Sequence, residues 1–234
     1  MPTAREPQAL QLSIDDGTAV SALLDAPAQP AACYVFAHGA GAGMQHAFMA
    51  ALAQELADLG IAVLRFQFPF MEQGSRRPDT PAVAQAAVRA AVAEAARQLP
   101  GVPLFAGGKS FGGRMTSQAQ AAAALPDVRG LVFVGFPLHP AGKPSLARAA
   151  HLAQVQLPML FLQGTRDALA DLPLVREATQ PLGSRATLHV VEGADHAFHV
   201  LVRSGRTDAE VLEELAETTA AWMLSACQPA PAAT

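Results

Sequence analysis

The sequence has little charge and few cysteines, and each shortage excludes a class of protein. Charged residues make up 15% of the 234 positions and hydrophobic residues 51%, which is too apolar for a disordered chain. The net charge of −4 gives no reason to expect a nucleic acid or an acidic membrane as a partner. Two cysteines, Cys33 and Cys227, do not make a disulfide framework, and Cys33 lies in an apolar run typical of a core residue.

Long apolar segments and metal-binding motifs are also missing. No run of eighteen apolar residues occurs, so we expect no segment that spans a bilayer. Residues 1–11 lack the apolar core of a secretory signal. No His/Cys/Asp cluster has the spacing of metal ligands. We therefore expect a cytoplasmic protein without a metal or other cofactor; the sequence does not indicate an oligomeric state.

The remaining sequence predicts one domain with alternating strands and helices. Its length fits a single domain over residues 1–227, followed by a flexible, Pro/Ala-rich tail at 228–234. Alternating apolar residues on either side of Asp16 and Gly17 predict an antiparallel hairpin. Runs that are apolar on both faces follow, as in strands covered by helices on each side. These runs are 33–37, 61–66, 102–106, 131–134, 159–162 and 187–191.

Helical patterns separate these strands. One predicted helix buries Phe48, Leu52, Leu56 and Leu59, a second begins after an N-cap at Thr80, and others span 112–124 and the segment from the capping box at 207–210. The order predicts an α/β architecture, with about eight strands in a mostly parallel sheet whose first few strands are antiparallel and whose faces are flanked by helices. Ligands of such sheets bind at the carboxyl ends of the strands.

A serine lies where one buried strand meets a helix. Gly108, Ser110 and Gly112 follow strand 102–106 and match the nucleophile elbow, in which a strained turn exposes the serine and glycines let neighbouring backbone pass. A phosphate-binding loop would need a glycine at position 103, where the chain has Pro103. We therefore predict that Ser110 is a nucleophile.

A glycine-rich loop at 38–43 follows the first buried strand. In serine hydrolases this loop supplies one amide of the oxyanion hole, and the residue after the nucleophile supplies the other. We assign these amides to Ala40, with Gly41 as the alternative, and to Phe111. A dinucleotide site is disfavoured because Arg65, not an acidic residue, stands at the end of the next strand. The histidine that opens the loop is interpreted as fixing it.

An acid and a histidine follow the last two strands. Asp167 comes after strand 159–162 and His196 after strand 187–191, which gives the order Ser, Asp, His of α/β-hydrolases. We predict that Asp167 orients His196, the general base. Three other acids are alternatives. Asp195 adjoins the histidine and is poorly placed to reach its ring, Asp171 lies farther along, in the next helix, and Glu192 lies close to the strand end.

Together these motifs resemble the small predicted α/β-hydrolases related to dienelactone hydrolase, over residues 34–223. The motifs that carry the resemblance are His38-Gly39-Ala40-Gly41, Gly108-Lys109-Ser110-Phe111-Gly112-Gly113-Arg114, Pro137-Leu138-His139-Pro140, Gly164-Thr165-Arg166-Asp167 and Asp195-His196. Dienelactone hydrolase itself uses a cysteine nucleophile where this chain has Ser110, so the resemblance does not predict dienelactone as substrate. The group includes relatives that serve as subunits of chromatin-associated assemblies.

We expect a serine hydrolase that cleaves a small acyl ester or thioester through an acyl-enzyme. A non-catalytic scaffold and an acyltransferase that uses the same triad remain alternatives. Roughly 20 residues separate the strand ending near 135 from the one beginning near 158, which leaves room for one helix and no large lid. Phe70, Met71, His139 and Phe198 are predicted pocket walls, with core packing as the alternative for Phe70 and Met71.

Overall fold

The computed structural model describes residues 6–14 and 17–227. Asp16 of the predicted turn and the predicted tail at 228–234 lie outside the described residues. The eight strands are β1 (Gln8–Ile14), β2 (Thr18–Asp25), β3 (Ala32–Ala37), β4 (Ile61–Phe66), β5 (Leu104–Lys109), β6 (Val128–Val134), β7 (Met159–Gly164) and β8 (Ala186–Val191). The helices are α1 (Ala47–Asp58), α2 (Pro69–Glu72), α3 (Pro81–Gln98), α4 (Phe111–Ala122), α5 (Leu172–Thr179) and α6 (Asp208–Cys227).

All eight strands form one sheet in the order β1-β2-β4-β3-β5-β6-β7-β8. The β1–β2 and β2–β4 pairs are antiparallel, and every other pair is parallel. The predicted mostly parallel sheet with an antiparallel start is therefore confirmed. In this arrangement the carboxyl ends of β3, β5, β6, β7 and β8 meet at the same edge of the sheet.

The sheet is covered on both faces, which explains its continuous apolar strands. Every residue of β3 and β4 is buried. Helices α3 and α4 pack on one face, within a core that includes Val88, Val92 and Met115. Helices α1 and α6 pack on the other face, within a second core that includes Leu56 and Leu215. Burial on both faces removes the polar alternation of a half-exposed strand.

Strand β5 differs from the predicted strand 102–106, because it continues through the glycines to Lys109. Gly107 and Gly108 pair with β3 on one side and β6 on the other. A Cβ added at Gly107 would lie 1.8 Å from the carbonyl oxygen of Val132, so only glycine allows this pairing. Helix α4 accordingly begins at Phe111, immediately after the serine.

One predicted detail of the helices is wrong and two are confirmed. Helix α1 buries Met49, Leu52, Ala53 and Leu56, whereas Leu59 is 41% exposed because the helix ends just before it. Thr80 is the N-cap residue of α3, as predicted, although its side chain forms no capping hydrogen bond. The capping box before α6 is present: the backbone N–H of Thr207 donates to Glu210 Oε2, and the Glu210 N–H donates to Thr207 Oγ1.

The segment between β6 and β7 carries no lid domain. Its only regular element among the described residues is a short 3-10 segment, Ala147–Gln154, which packs against α4. The carboxyl edge of the sheet therefore stays open next to the elbow. In the described part of the chain, each helix is too short or too polar to cross a bilayer.

Candidate active site

Ser110 lies in the sharp turn between β5 and α4. Its backbone has φ 51° and ψ −114°, a conformation that L-residues rarely adopt and that marks local strain. A Cβ at Gly108 or Gly112 would lie 2.4 Å or 2.5 Å from the carbonyl oxygen of Ala37. These two glycines therefore allow β3 to pass directly beside the turn, as the elbow motif predicts.

A continuous chain of hydrogen bonds joins Ser110, His196 and Asp167. The distance from His196 Nε2 to Ser110 Oγ is 2.9 Å, and the distance from His196 Nδ1 to Asp167 Oδ2 is 2.7 Å. The Asp167 side chain is buried, while that of His196 is about a quarter exposed. With Nδ1–H donating to the carboxylate, Nε2 is free to accept the serine proton. The structure thus brings together the three residues that the sequence predicts.

Further donors fix the Asp167 carboxylate. The side-chain amide of Gln163 donates to Oδ2 at 2.5 Å, and the backbone N–H of Leu169 donates to Oδ1 at 2.8 Å. Gln163 is fully buried in β7. Our sequence reasoning missed Gln163, although a polar residue inside an otherwise apolar buried strand is a signal, since buried polar groups need partners.

Two of the competing acids lie in the loops around the triad without contacting the His196 ring. Asp195 Oδ1 accepts hydrogen bonds from the backbone N–H groups of Ala197 and His199, so it shapes the loop that carries His196. Asp171 precedes α5 as its N-cap residue. Neither carboxylate is the hydrogen-bond partner of the His196 ring, which contacts Asp167 instead.

The loop after β3 lies along the serine. A Cβ at Gly39 would be 3.8 Å from Ser110 Cβ, and Ala40 lines the same cavity as Ser110. Phe111 occupies the first position of α4, where backbone N–H groups have no intrahelical partner. Among the described residues, neither the Ala40 N–H nor the Phe111 N–H donates to another protein group. Both donors are free to bind an anion.

His38 holds this loop in place. Its Nδ1–H donates to the carbonyl oxygen of Gly39 at 2.7 Å, and its Nε2 accepts from the N–H of Phe68 at 3.0 Å. Burial lowers the pKa of His38 to about 4, so the ring is neutral at physiological pH. This arrangement agrees with the interpretation of His38 as a loop-fixing residue.

A mostly apolar cavity of about 440 Å³ opens beside Ser110. Its size falls within the range of about 300–1,000 Å³ that is typical of small-molecule sites. Backbone of the loop after β3, side chains from the start of α1 and residues next to the triad form its walls. The lining residues are Gly39, Ala40, Gly41, Ala42, His46, Phe48, Met49, Lys109, Ser110, Leu169, His196 and Ala197.

The structure places the four predicted pocket walls outside this lining. Phe70 is in the core, with its ring centroid 6.2 Å from that of Phe111, and Met71 packs against the same core. His139 is buried and its Nε2 accepts from the Asp171 N–H, so it braces the start of α5. These three side chains therefore serve packing and loop structure and do not line the cavity.

Phe198, the fourth predicted wall, is buried one layer behind the cavity. Its ring stacks on that of Phe48, with the centroids 5.9 Å apart. Phe48 lines the cavity, so Phe198 supports a wall without forming one. The part that residues 46–49 play in lining the cavity was not predicted from the sequence. A helix start that lines a cavity has the same residue pattern as one that packs on a core.

A serine, an acid and a histidine follow three different strands of the sheet and are joined by hydrogen bonds. This arrangement defines an α/β-hydrolase. A family model described as an alpha/beta hydrolase domain matches residues 30–224, and the chain belongs to this family. A lidless α/β serine hydrolase from Xanthomonas campestris has a TM-score of 0.73 and 25% identity to this chain, covering 95% of this chain and 96% of that one.

Other solved structures share the fold at lower identity. A dienelactone hydrolase from Anabaena variabilis has a TM-score of 0.75 and 19% identity, over 94% of this chain and 99% of that chain. The esterase domain of a Rhodothermus marinus protein has a TM-score of 0.72 and 17% identity, also over 94% and 99%. The predicted resemblance to α/β-hydrolases related to dienelactone hydrolase is therefore confirmed.

Proposed function

We propose that this α/β-hydrolase cleaves a small acyl ester or thioester through an acyl-enzyme on Ser110. One observation carries the proposal: the unbroken hydrogen-bond chain from Ser110 Oγ through the His196 ring to Asp167, beside an open cavity. Such a chain activates a serine hydroxyl, whose own pKa is too high for attack at neutral pH.

In the first half of the reaction, Ser110 Oγ attacks the acyl carbonyl and its proton passes to His196 Nε2. Asp167 accepts the Nδ1–H bond and stabilises the imidazolium that forms. His196 then protonates the leaving alcohol or thiol as the carbon–heteroatom bond breaks. In the second half, water gives its proton to His196 and attacks the acyl-enzyme, which releases the acid and restores the serine.

The negative charge on the carbonyl oxygen needs donors that are already in place. The backbone N–H of Phe111 supplies one, supported by the dipole of α4, and the backbone N–H of Ala40 supplies the other. Both groups lack a protein acceptor among the described residues, and Ala40 lines the cavity with Ser110. Fixed donors of this kind stabilise the transition state without reorganisation.

The cavity favours a short or medium apolar acyl group. Ala40, Ala42, Met49, Leu169 and Ala197 provide small or aliphatic walls, and its volume is about 440 Å³. No lid encloses a long chain, since only a short 3-10 segment lies between β6 and β7. Two neighbours of the same fold, an esterase domain and a dienelactone hydrolase, support an ester as substrate.

Labelling with a fluorophosphonate probe, followed by mass mapping of the modified residue, tests the proposal. We expect labelling at Ser110 that is lost in His196→Ala. Ser117 offers a matched control, because its Oγ lies 2.7 Å from His151 Nε2 without a carboxylate hydrogen-bonded to that ring among the described residues. Ser117→Ala should label like the parent.

Absence of labelling, under conditions where another serine hydrolase reacts, would refute the proposal and favour a scaffold that binds partners. The remaining alternative is acyl transfer, and product analysis with an added alcohol distinguishes it from hydrolysis. Release of free acid indicates hydrolysis, whereas an ester of the added alcohol as main product indicates acyl transfer.

A further inference from the structure

Lys109, the residue before the proposed nucleophile, reaches the loop that carries His196. Its Nζ donates a hydrogen bond to the backbone carbonyl oxygen of His196. The same Nζ lies 5.1 Å from the ring centroid of Phe198 and 5.9 Å from that of Phe48, on their aromatic faces. One side chain thus links the end of β5 to the loop after β8.

Gly135, after β6, leaves the space that this ammonium group occupies. It has φ +71°, and a Cβ there would lie 3.0 Å from Lys109 Nζ and 3.5 Å from Nδ1 of the His196 ring. A side chain at position 135 would crowd the ammonium group of Lys109 and contact the His196 ring. The ammonium therefore lies in a fitted space between the backbone of β6 and the proposed general base.

The charged groups that face Lys109 are the carboxylates of Asp167 and Asp195, both of which favour its protonated form. Burial opposes them and is the larger effect, so the pKa of Lys109 falls to about 8. A buried cation of this kind lowers stability, and apolar residues of similar volume often stabilise such sites. Stability alone therefore does not explain why a lysine is present at position 109.

We propose that Lys109 is a positioning residue, which fixes the backbone of His196 and so holds the imidazole against Ser110. The inference rests on the proposed function, but its structural part concerns only the order of the loop at 193–199. Because Lys109 adjoins Ser110 in the chain, one residue sets the positions of both partners of the proton transfer.

Deprotonation of Lys109 is expected to lower the activity at alkaline pH. Above a pH of about 8 the lysine becomes neutral and donates a weaker hydrogen bond to the carbonyl oxygen. The His196 loop then loosens, and misplacement of a catalytic group by about 1 Å lowers the rate by up to about 100-fold. We expect the kcat/KM of the parent to decline above this pH.

The test compares Lys109→Met, Lys109→Arg and Lys143→Met. Lys143, the only other lysine of the sequence, is exposed in the loop after β6 and gives a matched control. Two properties are measured: the pH profile of kcat/KM on p-nitrophenyl acetate and the hydrogen–deuterium exchange of the amides at 193–199. Lys109→Gln replaces the methionine variant if that variant does not fold.

For Lys109→Met we expect a tenfold to 100-fold lower kcat/KM below pH 8, loss of the alkaline decline, and faster exchange at 193–199. Lys109→Arg, which keeps the cation, should recover part of the activity and shift the decline above pH 10. Lys143→Met should match the parent in both measurements.

The inference would be overturned if Lys109→Met had the same amide exchange at 193–199 and the same pH profile of kcat/KM as the parent. A loss of activity with an unchanged alkaline decline and unchanged exchange would overturn it too, since Lys109 would then act in some other way. The two proposals fail separately: a parent without esterase activity refutes the proposed function, whereas faster loop exchange in Lys109→Met still supports the positioning role.

Discussion

The Nε2 atom of His38 lies 3.0 Å from the backbone nitrogen of Phe68, and this hydrogen bond joins the loop after β3 to the segment after β4. The contact requires a neutral ring, because a protonated imidazole has no acceptor left. The loop that His38 holds presents Ala40 to the cavity. Protonation of one buried histidine is therefore expected to disturb both the stability of the fold and the proposed oxyanion donors.

The stability of the protein should fall as the pH decreases from about 6.5 to about 4. Burial lowers the pKa of His38 from 6.5 to about 4, so the unfolded chain binds more protons in this interval. Burial also lowers the pKa of His151 to about 4, which acts in the same direction. For His38 the full difference corresponds to about 3 kcal/mol, reached near pH 4.

Thermal unfolding of the parent and of His38→Gln between pH 4 and pH 7 measures this dependence. Glutamine keeps a side-chain acceptor for the Phe68 N–H but does not titrate. We expect His38→Gln to be less stable at pH 7 and to show a shallower decline toward acid. The same slope in both proteins would mean that His38 does not carry the effect.

Substitutions in the triad should affect turnover to different extents. Ser110→Ala and His196→Ala each remove the proton transfer, so either should lower kcat by several orders of magnitude, and the double variant by no more than either alone. Asp167→Asn should lower it less, because the imidazole remains in contact with the serine. Steady-state kinetics on an activated ester measures these losses, and equal turnover of Asp167→Asn and the parent would refute the role of this acid.

Gly112→Ala should destabilise the fold strongly. The new Cβ would lie 2.5 Å from the carbonyl oxygen of Ala37, a backbone atom that cannot move without disturbing β3. Overpacking of this kind costs about 1–3 kcal/mol, and for a chain of this size we expect a fall in Tm of roughly 2–12 °C. Gly41→Ala is the matched control, since nothing lies within 4 Å of its added Cβ.

Thermal unfolding of the two variants side by side checks the comparison. A Tm for Gly112→Ala equal to that of Gly41→Ala would show that β3 tolerates the added methyl group. It would also remove the physical reason for a glycine at the second position after the serine.

The sequence predicts the triad because each of its residues follows an apolar strand at the same edge of the sheet. Strong local signals, such as the apolar runs and the glycines around Ser110, need no knowledge of the tertiary structure. The end of β5 is less predictable, since the last half of Leu104–Lys109 contains two glycines, which usually mark a turn. Pairing with β3 and β6 overrides that local preference.

The cavity walls could not be read from the sequence for a different reason. Phe70 and Phe48 have the same side chain and each is the second residue of a helix that follows a strand, yet only Phe48 lines the cavity. The difference depends on how α1 and α2 are oriented against the sheet, which periodicity does not encode. The contact between Lys109 and the His196 backbone could not be predicted from the sequence either, because it joins residues 87 positions apart.

Ala197→Trp should shift the selectivity of the enzyme toward shorter acyl chains. Ala197 is exposed and lines the cavity beside His196, so an indole group there would occupy part of the volume of about 440 Å³. Each methylene that no longer fits costs about 1–3 kcal/mol. We expect kcat/KM for p-nitrophenyl octanoate to fall at least tenfold relative to that for the acetate.

Two controls separate a filled cavity from a damaged triad. Ala209→Trp, at an exposed position in the first turn of α6, should keep the selectivity of the parent. Labelling of Ser110 in Ala197→Trp by a probe with a small alkyl group should proceed at the rate of the parent. Slow labelling would mean that the indole displaces His196. Labelling at the rate of the parent with an unchanged ratio of octanoate to acetate activity would mean that the cavity beside Ser110 is not the acyl site.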